Sequence, residues 1–522
     1  MSQIDVIKEN VQYEQLLRES SSNTVLKGEY LIKDSHPDVH QILGVEAKVI
    51  ILNKEILADK VMLEGQVNYV VLYSSEDESE VVRVNSVELS EKFADYLDLK
   101  NEEHKVLCDV ECVIEHIQAN IINERKIAID GIRTTIWQVY KVGEFEFVKD
   151  ITGRESIQIQ KKEEDINQLK GNLDIDLMGK SIIKVTMDKP EVDQVLKTSL
   201  NLHKKEVKLG ENKVYLGCYC KIEILYKGKD CDDILVLQDD VYLSKEEELV
   251  GVNSDMLASQ NLDIVNYDYL VSPDDLGENR VLNIEFTAKG VIRVVSKEKV
   301  EVVKDAYLPN YSMELIKNNT EVGIIHGIVS CEIMVKDNLS IEDEEDKLSC
   351  ILLSYGTPII TNKEVENDRV KIDGVLKVST LYKTADDNYK LNMCCGEIPF
   401  STSVELKGTT PDMNAICKVQ LECLDTTIEA NTIGVRATLS VSVKVSYDIS
   451  KDWIIDVQCD DEEKKDKKAS VIIYCVNKND TLWKVAKKYN TTINELIKIN
   501  EIEDEDELLQ GMKLIIPGRC SF

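Results

Sequence analysis

Side chains that could bind a metal or act as nucleophiles are few and scattered in this chain. Its 522 residues include only six histidines and 14 cysteines. The best metal-binding candidate is Cys108-x3-Cys112-x3-His116, a spacing that would bring thiolate and imidazole ligands to one face of a strand. The surrounding sequence VLCDVECVIEH alternates like a core strand, however, so the pattern favours buried thiols over a metal site. No zinc spacing of the C-x2-C type occurs.

Motifs of common enzyme classes are also missing from the sequence. It contains no glycine-rich phosphate loop, no G-x-S-x-G nucleophile motif and no H-E-x-x-H zinc motif. Acidic pairs occur throughout, so none of them marks a general acid–base site. We therefore predict a protein that is not an enzyme and that uses no cofactor or metal.

The composition narrows the classes of partner and compartment. Lys and Arg total 63 and Asp and Glu total 96, which gives a net charge of −33. This charge repels nucleic acids and anionic membranes, so we predict neither a nucleic-acid partner nor membrane insertion. The start MSQIDVIKENVQYEQLL lacks the features of a secretory signal, and the apolar runs are too short to span a bilayer. These features predict a cytoplasmic protein with reduced cysteines, most of them core thiols.

One strand-like stretch occurs three times in the sequence. DKVMLEGQVNYVVLY (59–73), NKVYLGCYCKIEILY (212–226) and DRVKIDGVLKVSTLY (368–382) align without gaps. Apolar residues alternate in all three copies, which predicts a half-buried antiparallel strand. The seventh position carries Gly65, Cys218 or Gly374, and a small residue there suggests a bulge or a close backbone approach. The predicted inward-facing positions are Val61, Leu63, Val67, Tyr69, Val71 and Tyr73, with their counterparts in the other two copies.

The repetition predicts a mainly β chain of whole domains in a row. We place β-rich domains at 31–160, 175–310 and 315–458, with polar connectors near 151–180 and 306–320. Apolar residues at helical spacing in DVIKENVQYEQLL predict an N-terminal helical segment within 1–30. The sequence CDDEEKKDKKAS predicts a charged linker over 459–470, and a small domain follows at 471–518.

The small C-terminal domain has the predicted order β-α-α-β. Asp480 is placed to cap a first helix over 481–489, and Thr492 with Glu495 forms a capping box for a second helix. Two strands, at 471–476 and 513–516, can pair beneath the helices.

This segment closely resembles the LysM module. The matching residues include Asn479-Asp480-Thr481-Leu482-Trp483, Val485 to Tyr489 and Gly511-Met512-Lys513-Leu514. The resemblance implies a groove for N-acetylglucosamine-containing glycans between two loops. Carried over to this chain, the groove residues are Asn479, Asp480, Thr481, Leu482, Trp483, Asn500, Glu501, Ile502 and Glu503.

Features of this segment bear on what such a groove would bind. Asn479 replaces the usual glycine, and the groove-side loop carries the acidic run Glu503 to Glu507. That run is either a solvated loop or, if it lines the groove, a better match to a basic protein surface than to a neutral sugar. Trp483 has two interpretations as well. It either flanks the core against the closing strand or forms a partly exposed aromatic anchor for a partner.

The three repeats resemble the DUF3794 or SPOCS family, and their combination with a terminal LysM resembles the SipL-like spore-morphogenesis family. The resemblance implies a scaffold in the mother-cell cytoplasm that is recruited to the forespore surface and spore coat. It also implies a SpoIVA-like coat morphogenetic ATPase as the partner of the LysM module, with other coat proteins as further candidate partners. The alternative is a peptidoglycan-binding wall or cortex anchor, which would require export.

Overall fold

Strands dominate the structure, as the repeated alternation predicts. The computed structural model describes residues 4–76, 82–99, 105–153, 156–231, 233–309, 311–341, 348–385, 391–460, 471–502 and 508–517. Within these ranges both α-helices belong to the C-terminal module, and the rest of the regular structure is β. The mainly β fold class with a small terminal βααβ domain is thus confirmed.

In the part of the chain that the structure describes, each repeat contains six strands. Repeat 1 contains β1 (Asp5–Leu31), β2 (Gln41–Ile56), β3 (Lys60–Glu76), β4 (Val82–Asp98), β5 (Lys105–Asn123) and β6 (Lys126–Thr152). Repeat 2 contains β7 (Gln158–Lys184), β8 (Val192–Gly210), β9 (Lys213–Gly228), β10 (Ile234–Glu248), β11 (Leu257–Pro273) and β12 (Asn279–Tyr307). Repeat 3 contains β13 (Met313–Ser340), β14 (Leu348–Glu366), β15 (Arg369–Thr384), β16 (Leu391–Glu405), β17 (Asn414–Glu429) and β18 (Thr432–Cys459).

The six strands of a repeat form two antiparallel sheets. One sheet joins the long first and last strands with the fifth, in the order β1-β6-β5, and the other is the meander β2-β3-β4. Repeats 2 and 3 have the same topology, in the orders β7-β12-β11 and β10-β9-β8, then β13-β18-β17 and β14-β15-β16. Apolar side chains of both sheets share one core, as in the repeat 2 cluster that joins Leu177, Leu216 and Leu282.

The recurring stretch is the central strand of each meander, and its alternation is confirmed. All six predicted inward positions of β3 are buried, as are their counterparts in β9 and β15. The Leu-Tyr pair at the end of this strand packs into two different apolar clusters. Tyr73 points into its own repeat, whereas Leu72 joins a cluster with Leu225 and Leu381 from the other repeats.

The small residue at the seventh position is explained by a ring on the neighbouring strand. A Cβ atom on Gly65 would lie 2.3 Å from the ring of Phe93, and one on Gly374 would lie 2.3 Å from the ring of Phe400. In repeat 2 the position opposite Cys218 is Leu243, a smaller side chain. The three repeats therefore exchange side-chain volume between two facing strands. The predicted close backbone approach is also present, because the same Cβ atoms would lie 2.9 Å from Ile50 O and 2.5 Å from Ile359 O. The predicted bulge lies on the other neighbouring strand, at Leu52 of β2 and Thr361 of β14.

This exchange makes a testable prediction. Gly65→Cys should overpack the site and lower the free energy of unfolding by about 1–3 kcal/mol. Adding Phe93→Leu, which recreates the repeat 2 pair, should restore part of that loss. Urea unfolding of the two single variants and the double variant measures the coupling. If the two losses simply add, the proposed exchange of volume is wrong.

The N-terminal helix prediction is wrong, because Asp5–Leu31 is a strand that pairs along its whole length with β6. The register shifts between Ile7 and Lys8 and again between Leu16 and Arg18. The first shift leaves Lys149 of β6 unpaired, and the second inserts Leu17 into β1, so the alternation of β1 reverses only at Leu17. The predicted polar connectors are also largely strand, because β7 and β13 begin inside them.

The three repeats close on one another and do not simply follow each other in a row. A buried charge cluster joins all three, centred on Glu14 of β1. Its carboxylate lies 2.5 Å from Lys444 Nζ of repeat 3 and 3.3 Å from Arg293 Nε of repeat 2. Arg293 also donates to Asp109 of β5 at 3.0 Å. An apolar cluster shared by all three repeats contains Val11, Tyr13, Phe145, Phe147, Ile166, Val300, Val302, Val322, Ile324 and Trp453.

Candidate binding surface of the terminal module

The terminal module folds as its sequence pattern predicts. It comprises β19 (Val471–Cys475), α1 (Leu482–Lys488), α2 (Ile493–Asn500) and β20 (Lys513–Pro517), and β19 pairs antiparallel with β20. The apolar stripe of α1 is buried against α2 and the sheet. The core residues are Leu482, Val485, Ala486, Leu496, Leu514 and Ile516.

The helix starts differ in one respect from the prediction. Thr492 and Glu495 form the predicted capping box of α2, which is therefore confirmed. The N-cap of α1 is Thr481, whose hydroxyl accepts from Lys484 N at 3.2 Å, so the assignment of that role to Asp480 is wrong. The Asp480 carboxylate accepts instead from Tyr474 OH at 2.6 Å and from Asn477 N at 2.8 Å. These two bonds hold the loop that leads into α1.

The Asp480 contacts predict an acid-sensitive loop. The hydrogen bond from Tyr474, followed by that from the Asn477 backbone, lowers the pKa of Asp480. A carboxyl whose pKa is lower in the folded state stabilises the fold above its ordinary pKa, and this contribution is lost as the pH falls through the lowered value. As the pH is lowered, the NMR signals of Tyr474 and Asn477 should change less in the Asp480→Asn variant than in the original protein. An unchanged acid response would contradict this assignment.

The first predicted groove segment is only partly available to a ligand. Asn479 and Thr481 are exposed, whereas Leu482 is buried in the module core. Asn479 has a φ of 70°, a backbone region that glycine and asparagine tolerate best. The replacement of the usual glycine is therefore a conformational match, and it adds an amide to the exposed surface.

The second predicted groove segment is mostly structural. The Asn500 amide donates to Leu496 O at 2.9 Å and Ile515 O at 2.8 Å, and its oxygen accepts from Ile515 N at 2.6 Å. Glu501 is exposed and ends α2 with a left-handed φ of 52°. Ile502 packs partly against the core. Glu503 and the acidic run to Glu507 lie outside the described residues.

Trp483 flanks the module core, as one of the two interpretations predicts, but it also contacts repeat 2, which neither interpretation included. Its ring is half-buried and meets the ring of Tyr307 edge-on, with centroids 5.1 Å apart and an interplanar angle of 74°. Its indole Nε1 donates to the carboxylate of Asp305 at 2.9 Å. Both partners lie at the end of β12, so Trp483 holds the module against repeat 2.

Further contacts complete this attachment, which we call the repeat 2 dock. Lys487 Nζ lies 2.6 Å from the second oxygen of Asp305. The buried Tyr307 hydroxyl donates to Thr491 O at 3.0 Å, and Ile493 N donates to Gln158 Oε1 at 3.3 Å. Sequence reasoning missed Asp305, Tyr307 and Gln158. The sequence does contain a signal for these residues. The corresponding ends of β6 and β12 read VKDIT and VKDAY, and the tyrosine that only repeat 2 carries marks its strand end as different.

The cysteine–histidine candidate does not assemble. Cys108 is buried and Cys112 half-buried, whereas His116 is exposed after a register shift between Ile114 and His116. Burial raises the pKa of Cys108 to about 12 and that of Cys112 to about 11, so both remain protonated thiols near neutral pH. Among the described residues, no group of three potential ligands could hold a metal ion. The thirteen described cysteines are free, but only four are buried, so core thiols are the minority.

Comparison with known families agrees with this architecture. The family described as SipL, SPOCS domain matches residues 38–122, 191–272 and 347–429, and the LysM domain family matches residues 474–517. Both are non-catalytic binding domains. No curated protein and no solved structure matches the chain. In the described part of the chain, no helix is long and apolar enough to cross a membrane. With three SPOCS domains and a terminal LysM domain, the chain belongs to the SipL-like, sporulation-associated proteins.

Proposed function

We propose that this protein is a non-enzymatic scaffold in endospore formation that binds a SpoIVA-like coat ATPase through its LysM module. It would act in the mother-cell cytoplasm at the forespore surface and help coat material to encase the forespore. The single observation that carries the proposal is the repeat 2 dock. The dock joins the module to the closed group of repeats at a defined place, while Asn479 and Thr481 stay exposed for a partner.

The charge of the exposed module surface also bears on the partner. Lys478, Lys484, Lys488 and Lys498 are exposed on or beside the helices. Ammonium groups of this kind suit carboxylates on a protein surface better than a neutral sugar. The second candidate function is glycan binding, and the LysM family match favours it.

A binding comparison separates the two functions. The full-length chain is assayed against a purified SpoIVA-like ATPase and against purified peptidoglycan. Lys478→Glu combined with Asn479→Asp changes the exposed loop, and aspartate tolerates the positive φ at residue 479. We expect ATPase binding to fall at least tenfold in this variant, with peptidoglycan binding weak in both proteins.

A matched control is Lys336→Glu, a charge reversal at an exposed position on β13 of repeat 3. It should leave ATPase binding unchanged. Tight peptidoglycan binding without ATPase binding would replace the scaffold proposal with the glycan-binding one.

A further inference from the structure

A large cavity lies where the three repeats meet. Its volume is about 1310 Å³, and side chains of all three repeats line it. Its walls include the segments 109–114 of β5, 261–265 of β11 and 419–425 of β17. Each of these strands lies at an edge of its three-stranded sheet. The cavity is therefore surrounded by strand edges, which carry backbone groups available for further pairing.

Lysine side chains already form hydrogen bonds to the backbone carbonyl groups of these edge strands. Within each repeat, one lysine of the meander sheet donates from Nζ to a backbone carbonyl of the edge strand. The pairs are Lys54 with Cys108 O at 2.5 Å, Lys205 with Leu262 O at 2.8 Å and Lys363 with Ala415 O at 2.8 Å. In addition, Lys377 of repeat 3 donates to Glu115 O of repeat 1 at 2.6 Å. Cationic N–H donors thus already satisfy parts of these edges.

The charge of the cavity wall favours a cationic occupant. Eleven Asp and Glu residues and six lysines line it, a difference of five negative charges with the single histidine neutral. Glu111 of repeat 1 and Asp263 of repeat 2 are both exposed to the cavity. Desolvation, with a further contribution from Asp263, raises the pKa of Glu111, although Lys418 opposes the shift. A cation placed between these carboxylates would relieve their repulsion.

The edge strand of repeat 2 differs from the other two at its bulge, where Val265 stands in place of a glutamate. All three edge strands carry a bulge at the same place, with register shifts after Ile114, Ile264 and Leu421. The bulged residues Glu115 and Glu422 contact neighbouring repeats, Glu115 through Lys377 and Glu422 by accepting from Lys204 N at 2.5 Å. The equivalent residue of repeat 2, Val265, lines the cavity.

We propose that this cavity binds an extended basic peptide segment of another protein. The segment displaces Lys205 from Leu262 O and pairs with the edge of β11 at 261–265 as an added strand. Its lysine or arginine side chains meet Glu111 and Asp263. The cavity exceeds the roughly 300–1,000 Å³ of small-molecule pockets, which fits an occupant of peptide size. This site is separate from the LysM module, so the repeats have a binding role of their own.

The test uses the full chain and a fluorescently labelled peptide of four Lys-Val units, acetylated and amidated, at about 0.15 M salt to screen nonspecific attraction. The paired change Glu111→Gln and Asp263→Asn keeps the side-chain shapes and should weaken binding at least tenfold. The control pair Glu332→Gln and Asp337→Asn, at exposed positions on β13, should not change it. Hydrogen exchange should slow at 261–265 when the peptide is bound.

Two further ligands separate strand addition from plain charge attraction. A peptide of the same charge with every second amide N-methylated cannot pair along the strand, and we expect its affinity to fall at least tenfold. Spermidine supplies ammonium groups without a backbone and should bind weakly. Equal binding of either ligand, an unaffected Glu111/Asp263 variant, or no binding of the Lys-Val peptide would overturn the proposal.

Discussion

Replacing Glu14 with glutamine should lower the free energy of unfolding by about 3 kcal/mol, since removing one member of a buried ionic cluster leaves its partners uncompensated. The Glu14 side chain is only 3% exposed, and it faces Arg293 and Lys444 from the two other repeats. Without the carboxylate, Lys444 loses this partner and Arg293 keeps Asp109 alone, in a site with little water. Urea unfolding followed by tryptophan fluorescence measures the change.

Glu9→Gln is the matched control for this experiment. Glu9 lies on the same strand and pairs with Lys149 at 2.9 Å, but this pair is exposed. Exposed pairs contribute about 0–1 kcal/mol, so we expect a change of that size or less. Equal effects of the two substitutions would show that the buried cluster does not hold the repeats together.

The second large effect is expected for Trp483→Ala, which should release the module from repeat 2. The substitution removes the contact with Tyr307 and the hydrogen bond to Asp305. Loss of such an interface aromatic costs about 2 kcal/mol or more, which corresponds to a shift of roughly 30-fold toward the undocked module. Hydrogen exchange at the Ile493 amide, which donates to Gln158, should accelerate.

Two observations distinguish release of the module from its unfolding. The Leu496 amide, bonded to Thr492 O within α2, should stay protected if only the dock opens. Asp305→Asn changes repeat 2 alone, so it should produce the same release with the module sequence intact. If Asp305→Asn leaves the Ile493 amide unchanged while Trp483→Ala exposes both amides, Trp483 acts in the module core and not in the dock.

These variants also sharpen the interpretation of partner binding. Reduced ATPase binding in Trp483→Ala alone would be ambiguous, because Trp483 could touch the partner or merely orient the module. Asp305 lies outside the module, so a similar reduction in Asp305→Asn would indicate that the docked orientation matters. Unchanged binding in Asp305→Asn would instead assign Trp483 to direct contact.

Local patterns predicted a large part of this structure. Alternation identified the buried face of β3 and its two counterparts, and the capping box located the start of α2. The same logic failed for β1, where apolar residues at helical spacing lie in a strand that pairs with β6 along its whole length. It also misplaced the cap of α1, since Asp480 and Thr481 are both good capping residues and only the contact with Tyr474 separates their roles.

The candidate site was less predictable than the fold. The module's sequence indicates a groove. In the structure, however, the Asn500 amide is hydrogen-bonded to β20 and the Trp483 indole is hydrogen-bonded to β12. These assignments depend on residues far away in the chain, such as Asp305, which is 178 positions from Trp483. No spacing within residues 471–518 contains that information.

By itself the sequence determined three copies of one β-repeat and a terminal βααβ module, because side-chain periodicity and helix capping act over a few residues. Only the tertiary structure decided how these units are joined. Glu14 and Lys444 are 430 positions apart, and the edge strands around the cavity belong to three different repeats. Such contacts arise from surface complementarity between folded units, and a local pattern carries no record of which distant charge or strand edge will face it.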